Sequence, residues 1–473
     1  MQKRAGMLTT PFERSGRFLD ALRRSAILAR VWPIGMSGRP PKVVYWNHSP
    51  TPYFVERYNA VTDRGNVELE AWFNTRRETM RSWDVDESQW RFPARYIPAL
   101  RVAGLRAQVP VPELMRSRPD LLVQEYDRGH LTLGFLAGAR LARRSAFRVL
   151  PNYDSWSDRT WWREAGKRFV FAAVDGAKVP GPDGAALAER YGLPAARTVR
   201  VTQSIDVTRL SSPPEAAQTG AAAERERVRA ELGLEGCTFI FVGRLWRGKG
   251  VDDLLDAYAG LGAGASLLLV GDGADEHRYR ARARGLPRVA FAGFAQGAEL
   301  VSLYRAADAM VFPTLGDPHG LVVEEAMAAG LPVICSAAAG DIALRLPHGE
   351  AGYVVPPGAP AELRERMAAL VADAPLRARM GARAHELARE RDHARYAEDF
   401  EAFVEHVLTA PPRAGLAART ARAAGAIVCG ALRGAPCAEL LSPTHHESKG
   451  GHVPQAREVE SSPGAAPWAE VSR

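Results

Sequence analysis

The chain has 473 residues, 46% of them hydrophobic and 25% charged, a balance typical of soluble globular proteins and a length too great for one ordinary core, which predicts two domains plus extensions. No apolar run reaches the ~18 residues of a spanning helix, and the longest run near the C-terminus, Ala423 to Leu432, is too short, so a cytoplasmic location is expected. The net charge of +8 invites a nucleic-acid partner, but residues 1–40 hold eight Lys and Arg against Glu13 and Asp20 and so carry six of those charges; the remainder is close to neutral, and nucleic acid is not expected as a partner.

Residues 1–40 are a basic extension. Phe18, Leu19, Leu22 and Ala26 recur at helical spacing with arginines between them, which predicts an amphipathic helix in peripheral contact with anionic membrane on its inner face; a start without structure before Met36 fits equally. Folded structure is predicted from residue 41, where the apolar run Val43 to Trp46 leads into the loop NHSPTPY and a helix-like stretch. VELEAWF alternates as a strand. An irregular stretch follows in which Trp83, Trp90, Phe92 and Tyr96 interleave with Arg81, Arg91, Arg95 and Arg101, and an acceptor or lipid-surface contact and a packed loop both fit it. DLLVQEYD then reads as a strand, HLTLGFLAGARLARRS as a helix and FRVLPNYD as a strand. This alternation predicts a parallel sheet covered on both faces, forming an N-terminal domain over residues 41–210.

Past a polar, small-residue seam at 207–226 the pattern repeats. TFIFVGRL, ASLLLVGDG, RVAFAGF, DAMVFPTL and LPVICS are short apolar strands separated by helices, a second α/β domain over 226–385. A helix at 386–409 is expected to return to the first domain. From 410 to 473 the chain turns rich in Ala, Gly, Pro and Ser without a sustained pattern and is expected to be disordered; His445 and His446 read as solvated. Cys237, Cys335, Cys429 and Cys437 lack metal-type spacing, Cys335 reads as a core thiol, and no metal site is expected.

In open α/β sheets ligands bind beyond the carboxyl ends of the strands, where loops lead into helix N-termini. FVGRLWRGKGVDD places Arg244 at a strand end and Lys249 just before a helix, with Gly243, Gly248 and Gly250 letting backbone approach a ligand. Two cations beside helix N–H groups make a diphosphate site, although a merely basic surface loop has the same composition. GDPHGLVVEEAMAAGLPVI, residues 316–334, opens a further helix near Leu321. Successive helical residues lie about 100° apart, so Glu324 and Glu325 cannot both face one cleft: at most one binds there and the other supports the helix terminus. Asp317, eight positions before Glu325, can address a neighbouring part of the same ligand.

FVGRLWRGKG, LLLVGDG, VAFAGF, ADAMVFPT and DPHGLVVEEAMAAGLPVI, in this order and spacing, resemble the C-terminal domain of the retaining glycosyltransferases of family 4, strongly over 236–385 and weakly over 41–210. The resemblance implies the GT-B fold, two Rossmann-like domains facing across a cleft, and transfer of a sugar from a nucleoside diphosphate sugar to a saccharide or glycolipid, as in polysaccharide or cell-envelope glycan synthesis. It implies that Arg244 and Lys249 bind the diphosphate, that Glu325 holds the ribose hydroxyls, and that Asp317, in the place of a family glutamate, faces the donor sugar. Gly320, Leu321 and Val322 would meet the phosphate through backbone N–H groups, Phe294 would lie near the nucleobase, and Gly243 and His319 would complete the donor site. Pro318 and His319 replace the usual Gly and aromatic. On the acceptor side NHSPTPY replaces the family's glycine-rich loop; His48, Asn152 and Tyr153 stand nearest to acceptor roles, with Asp154 and His130 beside them. No cofactor is implied beyond the sugar nucleotide. A nucleotide-sugar epimerase of the same fold and a non-catalytic nucleotide-sugar-binding protein are the alternatives.

Overall fold

The computed structural model describes residues 38–433 apart from 77–82, 84, 103–104, 109, 126–131, 152–159 and 212–217. Residues 1–37 of the basic extension, His130, Asn152, Tyr153, Asp154, Cys437 and the two tail histidines therefore lie outside the described residues.

The first domain carries β1 (Lys42–Asn47), β2 (Glu68–Phe73), β3 (Ala94–Tyr96), a hairpin of β4 (Ala99–Val102) and β5 (Leu105–Gln108), then β6 (Leu121–Glu125), β7 (Arg144–Arg148), β8 (Gly176–Val179) and β9 (Thr198–Arg200). Seven of these form one parallel sheet in the order β3-β2-β1-β6-β7-β8-β9. The second domain contributes β10 (Cys237–Val242), β11 (Ala265–Val270), β12 (Val289–Gly293), β13 (Ala309–Phe312), β14 (Val333–Ser336) and β15 (Gly352–Val355), a parallel sheet in the order β12-β11-β10-β13-β14-β15. Each sheet reverses strand order once, between β1 and β6 and between β10 and β13, and such a reversal opens a crevice at the carboxyl edge. This is the GT-B architecture, two Rossmann-like domains.

The strands of the second sheet are continuous apolar runs because helices cover both faces: all six residues of CTFIFV and of ASLLLV are buried. Strand β2 shows the limit of reading alternation. Glu70, at an expected polar position, is only 4% exposed. It accepts hydrogen bonds from Trp72 Nε1 at 2.8 Å and Arg95 Nε at 2.6 Å, so its charge is buried with partners rather than solvated. The aromatic stretch that follows is largely a packed loop. Trp90 and Phe92 are buried, stacked 5.5 Å apart, and wedged beside Phe73 and Tyr58.

After the second domain the chain crosses back. Helix Ala374–Arg389 packs on helix Leu321–Ala328, whereas helix His393–Thr409 packs on Pro52–Arg64 of the first domain. There Arg64 makes a two-pronged pair with Glu401 at 2.7 and 3.1 Å, and Lys178 Nζ donates to Tyr396 Oη at 2.9 Å. The stretch from 410, expected to be disordered, contains a sixteen-residue helix, Leu416–Ala431, seated on helices Thr132–Leu141 and Trp161–Ala173. Its buried face is Ala418, Ala421, Gly425 and Cys429, and at Gly425 a Cβ would come within 2.1 Å of the Leu136 carbonyl oxygen. Small residues allow that close approach. Alanine- and glycine-rich composition here reflects packing rather than absence of structure. The described cysteines, Cys237, Cys335 and Cys429, are buried free thiols.

Candidate functional site

The strand-order reversal of the second sheet brings the loops after β10 and β13 side by side. Backbone contacts clamp them: Leu315 N–H and the Thr314 hydroxyl both donate to the Gly248 carbonyl, at 3.0 and 3.1 Å. Gly250, at φ +68°, caps helix Val251–Ala259 so close to the second loop that a Cβ would lie 2.0 Å from the Pro313 carbonyl oxygen. No other residue type fits there.

The clamp delivers Lys249 to Asp317. Their side chains form an ion pair, largely buried on both sides, and the second Asp317 oxygen accepts the His319 backbone N–H at 2.8 Å. Burial works against the Asp317 charge, but the Lys249 ammonium and the His319 N–H outweigh it and hold the carboxyl below its usual range. Lys249 also lies 5.3 Å above the Phe312 ring. Arg244, on the same loop as Lys249, has its guanidinium 5.5 Å over the Trp246 ring. The Gly243–Leu245 turn is tied to the glycine loop after β11, with Leu245 N–H donating to the Asp272 carbonyl at 2.6 Å. Phe294 follows β12, half-buried.

Helix Leu321–Ala328 starts from Gly320, in the left-handed region at φ +73°, with no side chain capping it. Val323 N–H turns back to the Gly320 carbonyl at 3.0 Å, so in the first turn the N–H groups of Leu321 and Val322 are left for the crevice. Glu324 and Glu325 point apart, as the 100° rule requires, but neither is the exposed capping residue expected of one of them. Glu324 is fully buried and pairs with Arg345 Nη1 at 2.5 Å. Arg345, itself buried, also donates to the backbone carbonyls of His319 and Gly340, so one guanidinium pins the GDPHG loop to the helix that follows it. The expected helix-terminus role of Glu324 gives way to a buried ion pair, because Arg345 lies within reach in three dimensions.

Glu325 is 2% exposed, and its two oxygens accept hydroxyls from opposite sides of the cleft: Tyr53 Oη of the first domain at 2.7 Å and Tyr304 Oη of the second at 2.8 Å. Burial raises its pKa against the pull of these two donors. Tyr53 sits at the start of helix Pro52–Arg64, just after the loop that contains His48. His48 itself is exposed at the end of β1.

His319 is 7% exposed, and neither ring nitrogen has a hydrogen-bond partner; Nε2 lies 3.6 Å from Glu324 Oε1. Burial, reinforced by Arg345, Arg57 and Arg148, keeps the ring pKa well below the usual histidine value. The ring borders a small cavity between the domains that Arg200, Gln203, Asp341 and Arg391 also line, apart from the Lys249–Asp317 pair. A second bridge across the cleft stands beside it. Asp183 N–H donates to Asp341 Oδ1 at 2.9 Å, and Asp341 N–H donates to Asp183 Oδ2 at 3.2 Å.

The structure therefore joins Lys249, Asp317 and His319, sets Glu325 one helical turn from them, and carries Arg244 on the Lys249 loop. Sequence reasoning missed Tyr53, Tyr304 and Arg345. Tyr53 lay in a stretch singled out only as a departure from a familiar loop, and no local spacing marks the other two. Among the described residues no group of three or more His, Cys, Asp or Glu side chains could hold a metal ion, and no helix is long and apolar enough to cross a membrane.

Residues 236–373 match the family model described as Glycosyl transferases group 1. Over 178 residues the chain is 35% identical to the D-inositol 3-phosphate glycosyltransferase of Corynebacterium glutamicum (strain R), covering 35% of this chain and 42% of that protein. Over 183 residues it is 37% identical to the phosphatidyl-myo-inositol mannosyltransferase of Mycobacterium leprae, covering 37% and 48%. The chain thus spans less than half the length of these two relatives. A longer match, 27% identical over 311 residues, joins it to the sulfoquinovosyl transferase SQD2 of Arabidopsis thaliana, covering 62% of this chain and 58% of that one. Among solved structures, Anabaena HepE in complex with UDP and glucose superposes with a TM-score of 0.61 at 19% identity, covering 76% of this chain and 98% of that one. WaaG, a glycosyltransferase involved in lipopolysaccharide biosynthesis, superposes at 0.55 with 17% identity, covering 76% and 99%. The structural likenesses carry the two-domain fold.

Proposed function

We propose that this chain is a retaining glycosyltransferase that moves a sugar from a nucleoside diphosphate sugar to a saccharide or glycolipid acceptor in glycan synthesis. One observation carries the reading: at the switch point of the second sheet, Lys249 and Asp317 meet beside the uncapped N-terminus of helix Leu321–Ala328, with Glu325 one turn further on. A cation, free helix N–H groups and a carboxylate arranged in that order suit a diphosphate flanked by a sugar and a ribose. The match to group 1 glycosyl transferases over the same residues supports it.

In this reading Arg244 and Lys249 take the diphosphate, and the N–H groups of Gly320, Leu321 and Val322 meet the nearer phosphate. Asp317 faces the sugar and gives up Lys249 as the phosphate arrives. Glu325 accepts the ribose hydroxyls. Its two oxygens already accept two phenolic hydroxyls at 2.7 and 2.8 Å, so it is shaped for O–H donors, and ribose would displace Tyr53. Phe294 flanks the base, and His48, Asn152 and Tyr153 belong to the acceptor side. Substitution proceeds on the front face of the sugar: as the anomeric C–O bond to the diphosphate breaks, the acceptor oxygen bonds to the same face and its proton passes to the departing phosphate oxygen. Arg244, Lys249 and the helix terminus stabilise the charge that grows there. The protein supplies the cations, so the reading calls on no cofactor beyond the sugar nucleotide.

The test is a panel of nucleotide sugars and nucleoside diphosphates, read by thermal unfolding, since ligand at 100 times its Kd adds about 2.7 kcal/mol. The donor so identified is then incubated with acceptors, and the anomeric configuration of the product is read by NMR. Retention at the anomeric carbon is expected. Stabilisation by no nucleotide would overturn the reading, and conversion of the donor with no acceptor present would identify an epimerase instead.

A further inference from the structure

Helix Leu416–Ala431 presents the wrong face to water. A surface helix ordinarily turns its apolar stripe inward and its charged stripe outward. Here the inward face is Ala418, Ala421, Gly425 and Cys429, while the outward stripe runs Leu416, Thr420, Ala423, Ile427 and Ala431, all exposed. Leu416 is 83% exposed and Ile427 76%. Arg419 is the one charged residue near that stripe, and LAARTARAAGAIVCGA contains no acid.

The neighbouring helix, Trp161–Ala173, extends the same character. Trp161 is 82% exposed and Trp162 56%. The two helices pack against each other. Arg413, just before the second, donates to the Phe171 carbonyl at the end of the first, Arg422 pairs with Asp175 just beyond that end at 3.0 Å, and Ala421 shares a small core with Ala173 and Leu136 against which Phe169 and Ala424 pack.

Among the described residues, the exposed charged side chains of these two helices are all arginines. Arg163, with its guanidinium 5.0 Å from the Trp162 ring, and Arg168 and Arg419 are exposed. The one acid of the first helix, Glu164, is neutralised by Lys167 at 2.9 Å and Arg190 at 3.6 Å. Two exposed tryptophans, two exposed large aliphatics and exposed arginines suit a surface that is apolar within and negative at its face. Indole rings settle at the level of lipid headgroups, and arginines pair with anionic lipid there.

We propose that the face built by helices Trp161–Ala173 and Leu416–Ala431 docks this protein on an anionic lipid bilayer. The side chains insert only to headgroup depth. This goes beyond the catalytic reading and does not depend on it; the surface is distinct from residues 1–40.

The experiment is flotation of the full chain with vesicles of phosphatidylcholine, with and without phosphatidylglycerol. Binding to the anionic vesicles is expected, with a loss of roughly tenfold or more in the pairs Trp161→Ser/Trp162→Ser and Leu416→Ser/Ile427→Ser. The replaced side chains are solvent-exposed, so melting temperatures should hold. Quenching of tryptophan fluorescence by brominated lipid, diminished in Trp161→Phe/Trp162→Phe, gives a second readout in which the apolar face is kept. The proposal is overturned if the wild-type chain ignores anionic vesicles, or if both Ser pairs bind as the wild type does. It is equally overturned if Leu416→Ser/Ile427→Ser splits a dimer in sedimentation while lipid binding is unchanged, which would assign the face to a second copy of the chain.

Discussion

Replacing Glu324 with Gln separates a buried ion pair from a helix-terminal charge. The carboxylate is fully buried, 2.5 Å from Arg345 Nη1, and Arg345 is only 4% exposed. Breaking a buried pair by removing one partner costs ~3–5 kcal/mol, because the other charge stays behind in a poorly solvated place. Arg345 keeps two carbonyl acceptors, on His319 and Gly340, and glutamine still offers a neutral one, which puts the loss near the lower end, about 3 kcal/mol. For a domain of this size each kcal/mol moves the melting temperature by about 2–4 °C, so a fall of about 6–12 °C is expected. A mere helix-terminal charge is worth only ~0.3–1 kcal/mol. Glu325→Gln is the control. It should melt close to the wild type and weaken nucleoside diphosphate binding by about 1.5–3 kcal/mol, the worth of a charge-assisted hydrogen bond. Thermal unfolding and titration calorimetry on the two variants measure both quantities. A Glu324→Gln protein melting within about 2 °C of the wild type would refute the ion-pair account.

If Arg244 and Lys249 act as proposed, Arg244→Ala and Lys249→Ala should each lower turnover by ~100-fold or more while weakening donor binding less, because the charge they would meet develops late; steady-state kinetics beside calorimetric donor binding reads the split. On the proposed function, Tyr53→Phe should tighten nucleoside diphosphate binding by roughly tenfold or more, because ribose then no longer has to displace a charge-assisted hydroxyl worth ~1.5–3 kcal/mol from Glu325; unchanged or weaker binding would place Tyr53 in the ligand's own contact set. His319 binds protons less readily in the folded chain than its ordinary value of 6.5. As pH falls below that value the unfolded chain takes up a proton that the folded one refuses, so stability is lost by about 1.4 kcal/mol per pH unit until the lower folded value is reached. Urea unfolding at several pH values should show that slope diminished in His319→Gln.

The second domain was legible in the sequence because its information is local. A parallel strand covered on both faces must be a continuous apolar run, and CTFIFV, ASLLLV and AMVF are such runs with glycine turns at their ends. Their order predicted the architecture, and the loop rule picked out Lys249 and Asp317 before any coordinate placed them together. What only the tertiary structure decided are the partners of buried charges and the faces of helices. Glu70 read as the polar side of an alternating strand and Glu324 as support for a helix terminus, yet each is buried against an arginine, on Arg95 and Arg345. Tyr53 reaches Glu325 across 272 residues of chain, a contact set by how two domains close and by no spacing. Within the Ala- and Gly-rich stretch after 410, residues 416–431 form a helix because a row of small side chains fits against Leu136 and Ala173. A short helix draws most of its stability from such packing rather than from its own propensity, so its composition could not announce it.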